Sequence, residues 1–408
     1  MNNQLWTVAA LAAAMLLTVA GCSQEAPPAP ADAPPPAEEA QAGGAVADAA
    51  DAAGTTDIGV PRYEVDASWP AELPENWILG QVAGIAVDSN DHVWLVHRPR
   101  TITAHEAAAV QNPPTADCCT PAPSVVEFDA DGQFVQAWGG PTWDQASGEW
   151  IDSEDDWPFN EHGIFVDAED NVWLAGNGDS DHIVLKMSRD GTRQLTIGRV
   201  GENGGSNDTE RLGRPADVFV DTQAREVFVA DGYLNRRVVV FNMDTGAYKR
   251  HWGAYGNEPS DDPLPAYEPG GEPFADFSGP VHGIELTSDG LVYVADRTSN
   301  RIQVFEQDGT FVSEHLVASW TLDQGATWDI ERAAFADEAW LFVSDGHNKR
   351  VWILDRESME VVDSFGRGGR QAGHFEWVHN IAADSEGNLY TSEVNTGKRV
   401  QKFRRIVE

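Results

Sequence analysis

A strand-turn-strand pattern recurs six times along the chain, and it restricts the possible fold more than any other feature. Each copy has a short run of alternating apolar residues, a turn rich in Asp, Asn and Gly, and a second apolar run. The six first runs are residues 84–88, 163–167, 217–221, 283–286, 333–337 and 380–384. A repeat of this kind is a supersecondary unit that buries its apolar faces only by packing against its neighbours.

Each unit continues with a third run, such as residues 301–305, and then with an outer run that ends at an aromatic residue followed by glycine. These endings are Trp138-Gly139, Trp252-Gly253 and Phe365-Gly366. Four short strands with glycine and aromatic punctuation are typical of a β-propeller blade. We therefore predict an all-β, six-bladed propeller of four-stranded antiparallel blades over residues 61–408. The last unit is one strand short, and residues 63–66 are predicted to supply that strand and close the ring.

The N-terminal residues have the pattern of a targeting signal. Residues 5–20 are almost wholly apolar, yet too few for a comfortable membrane span. The run ends in Val19-Ala20-Gly21-Cys22, which resembles a bacterial lipobox, although residues 1–4 contain no Lys or Arg. We predict a lipoprotein signal peptide at residues 1–21 and lipidation of Cys22, with an ordinary secretory peptide as the alternative.

The segment after the cysteine and the residue next to it predict where the chain resides. Residues 22–60 are rich in Ala, Pro and acidic residues and contain no aromatic residue, so they are predicted to form a disordered tether. Because Ser23 rather than Asp follows Cys22, we expect a lipid-anchored protein of the cell envelope. The expected location is the outer membrane, facing the periplasm or the cell surface.

The charge of the chain limits its partners. The 66 Asp and Glu residues outnumber the 27 Lys and Arg residues and give a net charge of −39. Nucleic-acid binding requires clustered basic residues, so this balance excludes a nucleic-acid partner. Anionic surfaces repel such a chain, and we expect membrane contact only through the lipid anchor, and a monomer.

The cysteines are too few for a fold stapled by disulfides. Cys118 and Cys119 lie in an insertion of the first unit, at about residues 99–124. Once Cys22 is lipidated, these two thiols have no other partner. In an oxidising compartment they are expected to form a vicinal disulfide or to remain free.

Histidine recurs at the position just before the first strand of each unit. In chain order this position holds Ala83, His162, Ala216, His282, approximately Ile330, and His379. Alternate blades of a six-bladed ring are a third of a turn apart, so the three imidazoles are predicted to meet on the channel axis. Three histidines with an open fourth position are the ligand set of a catalytic Zn²⁺, and other metals that favour imidazole remain open. The alternative is three hydrogen-bonded core histidines.

Polar residues at the ends of the second strands are predicted to lie at the same end of the channel. They include Arg98, Tyr233 and Arg297. Two arginines in so acidic a chain indicate an anionic ligand, in particular a carboxylate held bidentately, or else surface ion pairs. The tyrosine is a candidate general acid or base. The arginines that precede third strands recur from unit to unit and are interpreted as structural: Arg237, Arg301, Arg350 and Arg399.

These segments resemble NHL-repeat propellers and, among them, the peptidyl-α-hydroxyglycine α-amidating lyases. The matching stretches are residues 96–98, 161–163, 231–235, 281–283, 295–297 and 378–379. The resemblance implies that the three histidines of the repeat hold a catalytic zinc ion, with Arg98, Tyr233 and Arg297 around the substrate.

Two positions depart from the family pattern. Asn380 stands where the family has an Asp that helps to hold a structural calcium ion, and a neutral side chain there argues against Ca²⁺. Leu234 stands where the family has a cysteine of a stabilising disulfide. We therefore expect this chain to share the family's scaffold and metal site more closely than its substrate.

The function predicted from these observations is a metal-dependent lyase that acts on a peptide or small molecule bearing a carboxylate. It would cleave the C–N bond of a carbinolamide and give an amide and glyoxylate. Attack by an activated water at the same site would make the protein a hydrolase instead. A further alternative is a non-catalytic binding platform on the cell envelope, because a fold does not dictate a function.

Overall fold

The structure is a computed structural model that describes residues 59–153 and 156–407. The signal peptide predicted at residues 1–21 and the lipidation site Cys22 lie outside the described residues. So does the tether predicted at residues 22–60, apart from Gly59 and Val60.

Within the described residues, six four-stranded antiparallel sheets follow one another around a ring, so the predicted six-bladed β-propeller is confirmed. From the innermost strand outwards, blade one consists of Gln81–Val87, Val93–Arg98, Val125–Phe128 and Phe134–Trp138. Blade two consists of Glu161–Val166, Val172–Gly176, Ile183–Met187 and Arg193–Gly198. Blade three consists of Asp217–Asp221, Glu226–Asp231, Arg237–Asn242 and Tyr248–Trp252.

The second half of the ring is built in the same way. Blade four consists of Val281–Leu286, Leu291–Asp296, Arg301–Glu306 and Phe311–Leu316. Blade five consists of Asp329–Arg332, Trp340–Asp345, Arg350–Asp355 and Val361–Phe365. Blade six consists of Val378–Ala383, Leu389–Glu393, Arg399–Ile406 and, as its outer strand, Arg62–Asp66.

The outer strand of blade six comes from the N-terminal side of the ring. Arg62–Asp66 pairs antiparallel with Arg399–Ile406, with Tyr63 opposite Arg405 and Val65 opposite Phe403. The closing strand predicted at residues 63–66 is therefore confirmed. This pairing ties the two ends of the described chain into one blade.

The apolar core lies between the blades. Six clusters of buried side chains were found in the described residues, one between each pair of neighbouring blades. The middle strands are covered on both faces, so they form continuous apolar runs such as residues 93–96 and 238–241. Each fully buried aliphatic side chain stabilises the fold by roughly 1.5–3 kcal/mol relative to an exposed one.

The glycine after an outer strand has a steric role. Gly366 adopts a left-handed conformation with φ of +88°, and a Cβ atom there would overlap the ring of Phe375. Gly139 is similar, with φ of +75° and the ring of Trp157 at the place of a Cβ atom, whereas a Cβ atom on Gly253 would meet Pro259. Two of the three aromatic-glycine endings therefore mark left-handed turns against which an aromatic ring packs closely.

Blade five begins earlier than the sequence pattern predicted. Its first strand is Asp329–Arg332, and the segment predicted as that strand, residues 333–337, instead leads into a short 3₁₀ helix at Ala336–Glu338. Two charged residues, Glu331 and Arg332, interrupt the apolar alternation of the true strand, so the pattern favoured the later run.

Several short strands and helices lie outside the six four-stranded blades. Two-stranded sheets pair Trp77–Ile78 with Thr120–Pro121 and Thr142–Asp144 with Glu149–Ile151. The 3₁₀ helices of the described residues are Pro74–Asn76, Pro99–Thr101, Ala108–Val110, Ala254–Gly256, Arg297–Ser299 and Ala336–Glu338. No helix in this part of the chain is long and apolar enough to cross a membrane.

Candidate metal centre

The three predicted histidines occupy equivalent places in alternate blades. His162, His282 and His379 are each the second residue of an innermost strand. In all three strands a β-bulge interrupts the pairing at the histidine. A bulge removes a residue from the regular ladder and redirects its side chain. The backbone therefore frees each imidazole to turn toward the channel.

The imidazoles form a nearly equilateral triangle. The ring centroids of His162 and His282 lie 4.9 Å apart, those of His162 and His379 4.7 Å, and those of His282 and His379 4.9 Å. One ligand nitrogen from each ring lies within 4.8 Å of the other two. All three side chains are buried. Residues far apart in the sequence thus meet at one point.

The hydrogen bonds of the rings determine which nitrogen faces the centre. Each Nδ1 donates to an oxygen atom: His162 to the carbonyl of Ala216 at 2.7 Å, His282 to the carbonyl of Trp328 at 2.5 Å, and His379 to Oδ1 of Asn380. A carbonyl oxygen only accepts, so each Nδ1 carries the proton and each Nε2 presents a lone pair.

Burial keeps the imidazoles neutral. It lowers the pKa of His379 to about 3 and holds the pKa of His162 and of His282 well below the ordinary value, and nearby positive charges lower all three further. A neutral imidazole with a free Nε2 and an oxygen partner on Nδ1 is the form in which histidine binds Zn²⁺. The residues present therefore fit a three-histidine metal site.

Tyr233 places its hydroxyl directly against this triangle. It follows the second strand of blade three, Glu226–Asp231. Its oxygen lies 2.9 Å from Nε2 of His162 and 3.1 Å from Nε2 of His282. The hydroxyl thus faces the same lone pairs that a metal ion would use.

Arg297 approaches the same tyrosine from blade four. Its Nη1 lies 3.3 Å from the hydroxyl oxygen of Tyr233, and its Nη2 donates to Oε1 of Gln324 at 3.0 Å. The guanidinium carbon lies 4.5 Å from the ring centroid of Trp328. The side chain is buried, so its positive charge is confined to the mouth of the histidine site.

Arg98 closes the other side of the site. It ends the second strand of blade one, and its Nε donates to the carbonyl of Glu161 at 2.7 Å, while Nη1 donates to Oε1 of Gln81 at 3.0 Å. Its charge acts on all three histidines. Within the described residues, neither Arg98 nor Arg297 lies within ion-pair distance of a carboxylate. The alternative of surface ion pairs therefore does not apply to them.

The arginines interpreted as structural differ in this respect. Three pair with an acidic residue at the end of the preceding strand, and the fourth stacks on an indole: Arg237 with Asp231 at 2.9 Å, Arg301 with Asp296 at 2.8 Å, Arg399 with Glu393 at 2.5 Å, and Arg350 over Trp352 at 4.8 Å. A carboxylate partner neutralises Arg237, Arg301 and Arg399 and leaves them no charge for a ligand. Arg350 stacks on a neutral ring and serves the packing of blade five.

The structure corrects one register position and adds residues that the sequence did not single out. The blade-five counterpart of the histidines is Trp328, not Ile330, because the backbone oxygen of Trp328 accepts from His282 just as that of Ala216 accepts from His162. Gln324, which contacts Arg297, lies in a loop outside the repeat, so no sequence pattern marks it.

The residues that follow the three histidine positions in the innermost strands line a small cavity of about 170 Å³ in the channel. Its walls include Asp217, Glu285, Asp329 and Glu331, and burial raises the pKa of each of these acids. Asn380 enters this layer and donates from Nδ2 to Oδ2 of Asp329 at 3.0 Å. The amide that replaces the family's Asp is therefore hydrogen-bonded within the protein.

Cys118 and Cys119 are joined as a vicinal disulfide in the structure. They line a different cavity, of about 760 Å³, together with Trp77, Phe128 and Val400. The insertion that carries them is held by an ion pair between Lys398 and Glu106. The disulfide therefore lies in the wall of a second cavity, outside the histidine site.

Comparison with known proteins identifies one repeat in the chain and several similar proteins. An NHL repeat is recognised at residues 281–305, which cover the first two strands of blade four and all but the last residue of the third. Peptidylglycine alpha-amidating monooxygenase of Rattus norvegicus is 27% identical over 355 residues, covering 84% of this chain and 32% of that protein. The chain thus spans about a third of the length of the monooxygenases that it matches.

A relative named as a lyase and a solved structure extend this likeness. Peptidyl-alpha-hydroxyglycine alpha-amidating lyase 1 of Drosophila melanogaster is 27% identical over 376 residues, covering 84% of this chain and 59% of that protein. A streptogramin B lyase superposes with a TM-score of 0.50 at 12% identity, over 85% of this chain and 98% of that chain, which shows the fold alone. The chain is therefore a six-bladed β-propeller that carries an NHL repeat in blade four and is similar to peptidyl-α-hydroxyglycine α-amidating lyases.

Proposed function

We propose that this protein is a zinc-dependent carbon–nitrogen lyase of the peptidyl-α-hydroxyglycine amidating type. One observation carries the proposal: three buried, neutral imidazoles converge beneath a tyrosine hydroxyl, beside two arginines that have no carboxylate partner among the described residues. The likeness to amidating enzymes over most of the chain supports the same chemistry.

The proposed substrate is a carbinolamide, an amide nitrogen bonded to a carbon that carries a hydroxyl and a carboxylate. Its C–N bond breaks, the hydroxyl oxygen becomes the aldehyde oxygen of glyoxylate, and the hydroxyl proton passes to the departing amide nitrogen. Atoms and charge balance without water, an oxidant or a reductant. His162, His282 and His379 would hold a zinc ion, whose Lewis acidity would make the substrate hydroxyl easier to deprotonate.

Tyr233 is placed to move the proton. Its oxygen faces the histidine lone pairs and accepts a hydrogen bond from Arg297. The tyrosine oxygen takes the proton from the substrate hydroxyl and returns it to the amide nitrogen. This is general base and general acid catalysis by one side chain.

Arg98 and Arg297 orient the substrate. Each presents a buried guanidinium without an internal counter-ion among the described residues, and a bidentate contact suits a carboxylate. Holding the carboxylate fixes the carbinol carbon next to Tyr233. Because the site is buried, these contacts act in a low dielectric and stabilise charge that develops on the glyoxylate product.

The test is metal analysis combined with product analysis on benzoyl-α-hydroxyglycine. We expect one zinc ion per chain and equal amounts of benzamide and glyoxylate. His282→Ala should lose both the metal and the activity. His315→Ala, on the outer strand of blade four, is the matched control and should retain both.

The products separate the alternatives. Benzoate in place of benzamide would show a hydrolase. If the protein binds zinc but does not cleave benzoyl-α-hydroxyglycine, the metal site stands and this substrate is wrong. If the wild type and His315→Ala both contain no metal, the proposal is overturned and the non-catalytic binding platform is favoured.

A further inference from the structure

Trp328 occupies in blade five the position that the histidines occupy in blades two, four and six. It directly precedes the first strand of that blade, and its side chain is only 4% exposed. The reaction proposed above does not use it. Its place in the ring nevertheless puts it at the same depth as the metal site.

Trp328 contacts three functional residues, His282, His379 and Arg297. Its ring centroid lies 5.7 Å from that of His282 and 5.6 Å from that of His379. Its backbone oxygen accepts from Nδ1 of His282 at 2.5 Å. Its indole ring lies beneath the guanidinium of Arg297, 4.5 Å from centroid to guanidinium carbon. The indole N–H donates to the carbonyl of Gly325 at 2.9 Å, which fixes the orientation of the ring.

Arg297 depends on this ring because it lacks an internal counter-ion among the described residues. Its Nε atom is buried and has no hydrogen-bond partner in the described part of the chain. By contrast, Nε of Arg301 lies 2.8 Å from a carboxylate oxygen of Asp296. An acidic partner would hold Arg297 but neutralise it. An aromatic face holds a guanidinium through its quadrupole and leaves the net charge available to an anion.

We propose that Trp328 is a positioning residue that holds Arg297 for the carboxylate of a ligand. This inference rests on the proposed function, in which Arg297 binds the substrate carboxylate. The indole of Trp328 and the amide oxygen of Gln324 are both neutral, so they hold Arg297 without cancelling its charge. Within the described residues no carboxylate forms an ion pair with Arg297, and its charge is left for the carboxylate of the ligand.

The experiment measures ligand binding separately from turnover. The probe is N-acetyl-phenylalanyl-glycine, which has the carboxylate but lacks the hydroxyl and cannot react. We expect Trp328→Leu to weaken calorimetric binding of this probe about tenfold and to raise KM with little change in kcat, as loss of a buried cation–π contact implies. Trp328→Phe retains an aromatic face and should weaken binding no more than about threefold.

Two controls distinguish positioning from general damage. Trp320→Leu, at an exposed indole, should leave probe affinity unchanged. In an Arg297→Gln background, Trp328→Leu should add less than a twofold loss, because the two residues act through one contact.

Three outcomes would overturn the inference. They are an equal loss in the Arg297→Gln background, loss of zinc from Trp328→Phe, and a wild-type protein that does not bind the probe. If the probe binds as expected but benzoyl-α-hydroxyglycine is not cleaved, the proposed function fails and the role of Trp328 stands.

Discussion

The hydroxyl oxygen of Tyr233 lies 2.9 Å from Nε2 of His162. The group proposed to transfer the proton is therefore in direct contact with a proposed metal ligand. Tyr233→Phe keeps the ring and removes only this oxygen. We expect kcat to fall by about 10²–10⁴-fold, the range of general acid–base catalysis, with zinc content unchanged. Tyr248→Phe, on the outer strand of blade three, is the control. Near-normal turnover by Tyr233→Phe would remove the tyrosine from the mechanism.

The backbone next to His162 leaves no room for a side chain. A Cβ atom on Gly163 would lie 2.6 Å from the carbonyl oxygen of Ala216, which accepts from Nδ1 of His162. Gly163→Ala must displace this carbonyl and with it the imidazole. We expect zinc affinity to fall about 10–100-fold, the usual cost of losing an outer-shell partner of a metal ligand.

Competition with a chelator measures this loss of affinity. Gly59→Ala is the matched control, because a Cβ atom there meets nothing within 4 Å. Unchanged zinc affinity in Gly163→Ala would show that the carbonyl of Ala216 does not orient His162.

Much of the fold and the centre of the site follow from the sequence, because both depend on the repeat. The alternation of apolar residues marks the blades, and the column of histidines marks the axis. The prediction was wrong at blade five, where Glu331 and Arg332 interrupt the pattern, and this error concealed Trp328. Gln324 could not be predicted, since its contact with Arg297 depends on the path of a loop outside the repeat.

His97 gives the fold a specific pH dependence. The imidazole is buried, accepts at Nδ1 from the backbone N–H of Gly80 and donates from Nε2 to the carbonyl of Pro123. Burial lowers the pKa of His97 from 6.5 to about 4. Between these values the unfolded chain binds a proton that the folded chain does not, so stability falls as the pH decreases, by about 1.4 kcal/mol per unit.

Urea unfolding of wild type and His97→Asn tests this sign. We expect the advantage of the wild type to shrink by about 2 kcal/mol between pH 7 and pH 5, because Asn does not titrate. His105→Asn, at an exposed histidine, should show a constant difference from wild type. A constant difference for His97→Asn as well would contradict the prediction.

Cys22 is proposed to anchor the protein in the cell envelope. Its position after Val19-Ala20-Gly21 supports lipidation, as the sequence analysis predicts. In a bacterial host, Cys22→Ala should abolish labelling with a radioactive fatty acid and move the protein from the membrane fraction to the soluble fraction. Cys118→Ala is the control and should remain labelled. A wild-type protein without label would favour an ordinary secretory signal.

Asn380 separates the histidine centre from the acidic layer below it. Its amide nitrogen donates to Oδ2 of Asp329 at 3.0 Å, while its oxygen accepts from His379. Asn380→Asp retains the acceptor for His379 but places a second carboxylate against Asp329. Two buried carboxylates repel each other, and we expect a loss of about 1–3 kcal/mol in the free energy of unfolding at pH 8 in a chelator.

The double variant Asn380→Asp with Asp329→Asn exchanges the two side chains and should recover most of this stability, because one amide again faces one carboxylate. Millimolar Ca²⁺ should stabilise the single variant, whose paired carboxylates supply the hard oxygen ligands that calcium prefers, and leave the wild type unchanged. Chemical denaturation with and without calcium measures both effects. If Asn380→Asp is as stable as the wild type in the chelator, the hydrogen bond between Asn380 and Asp329 does not stabilise the contact between the histidine centre and the acidic layer.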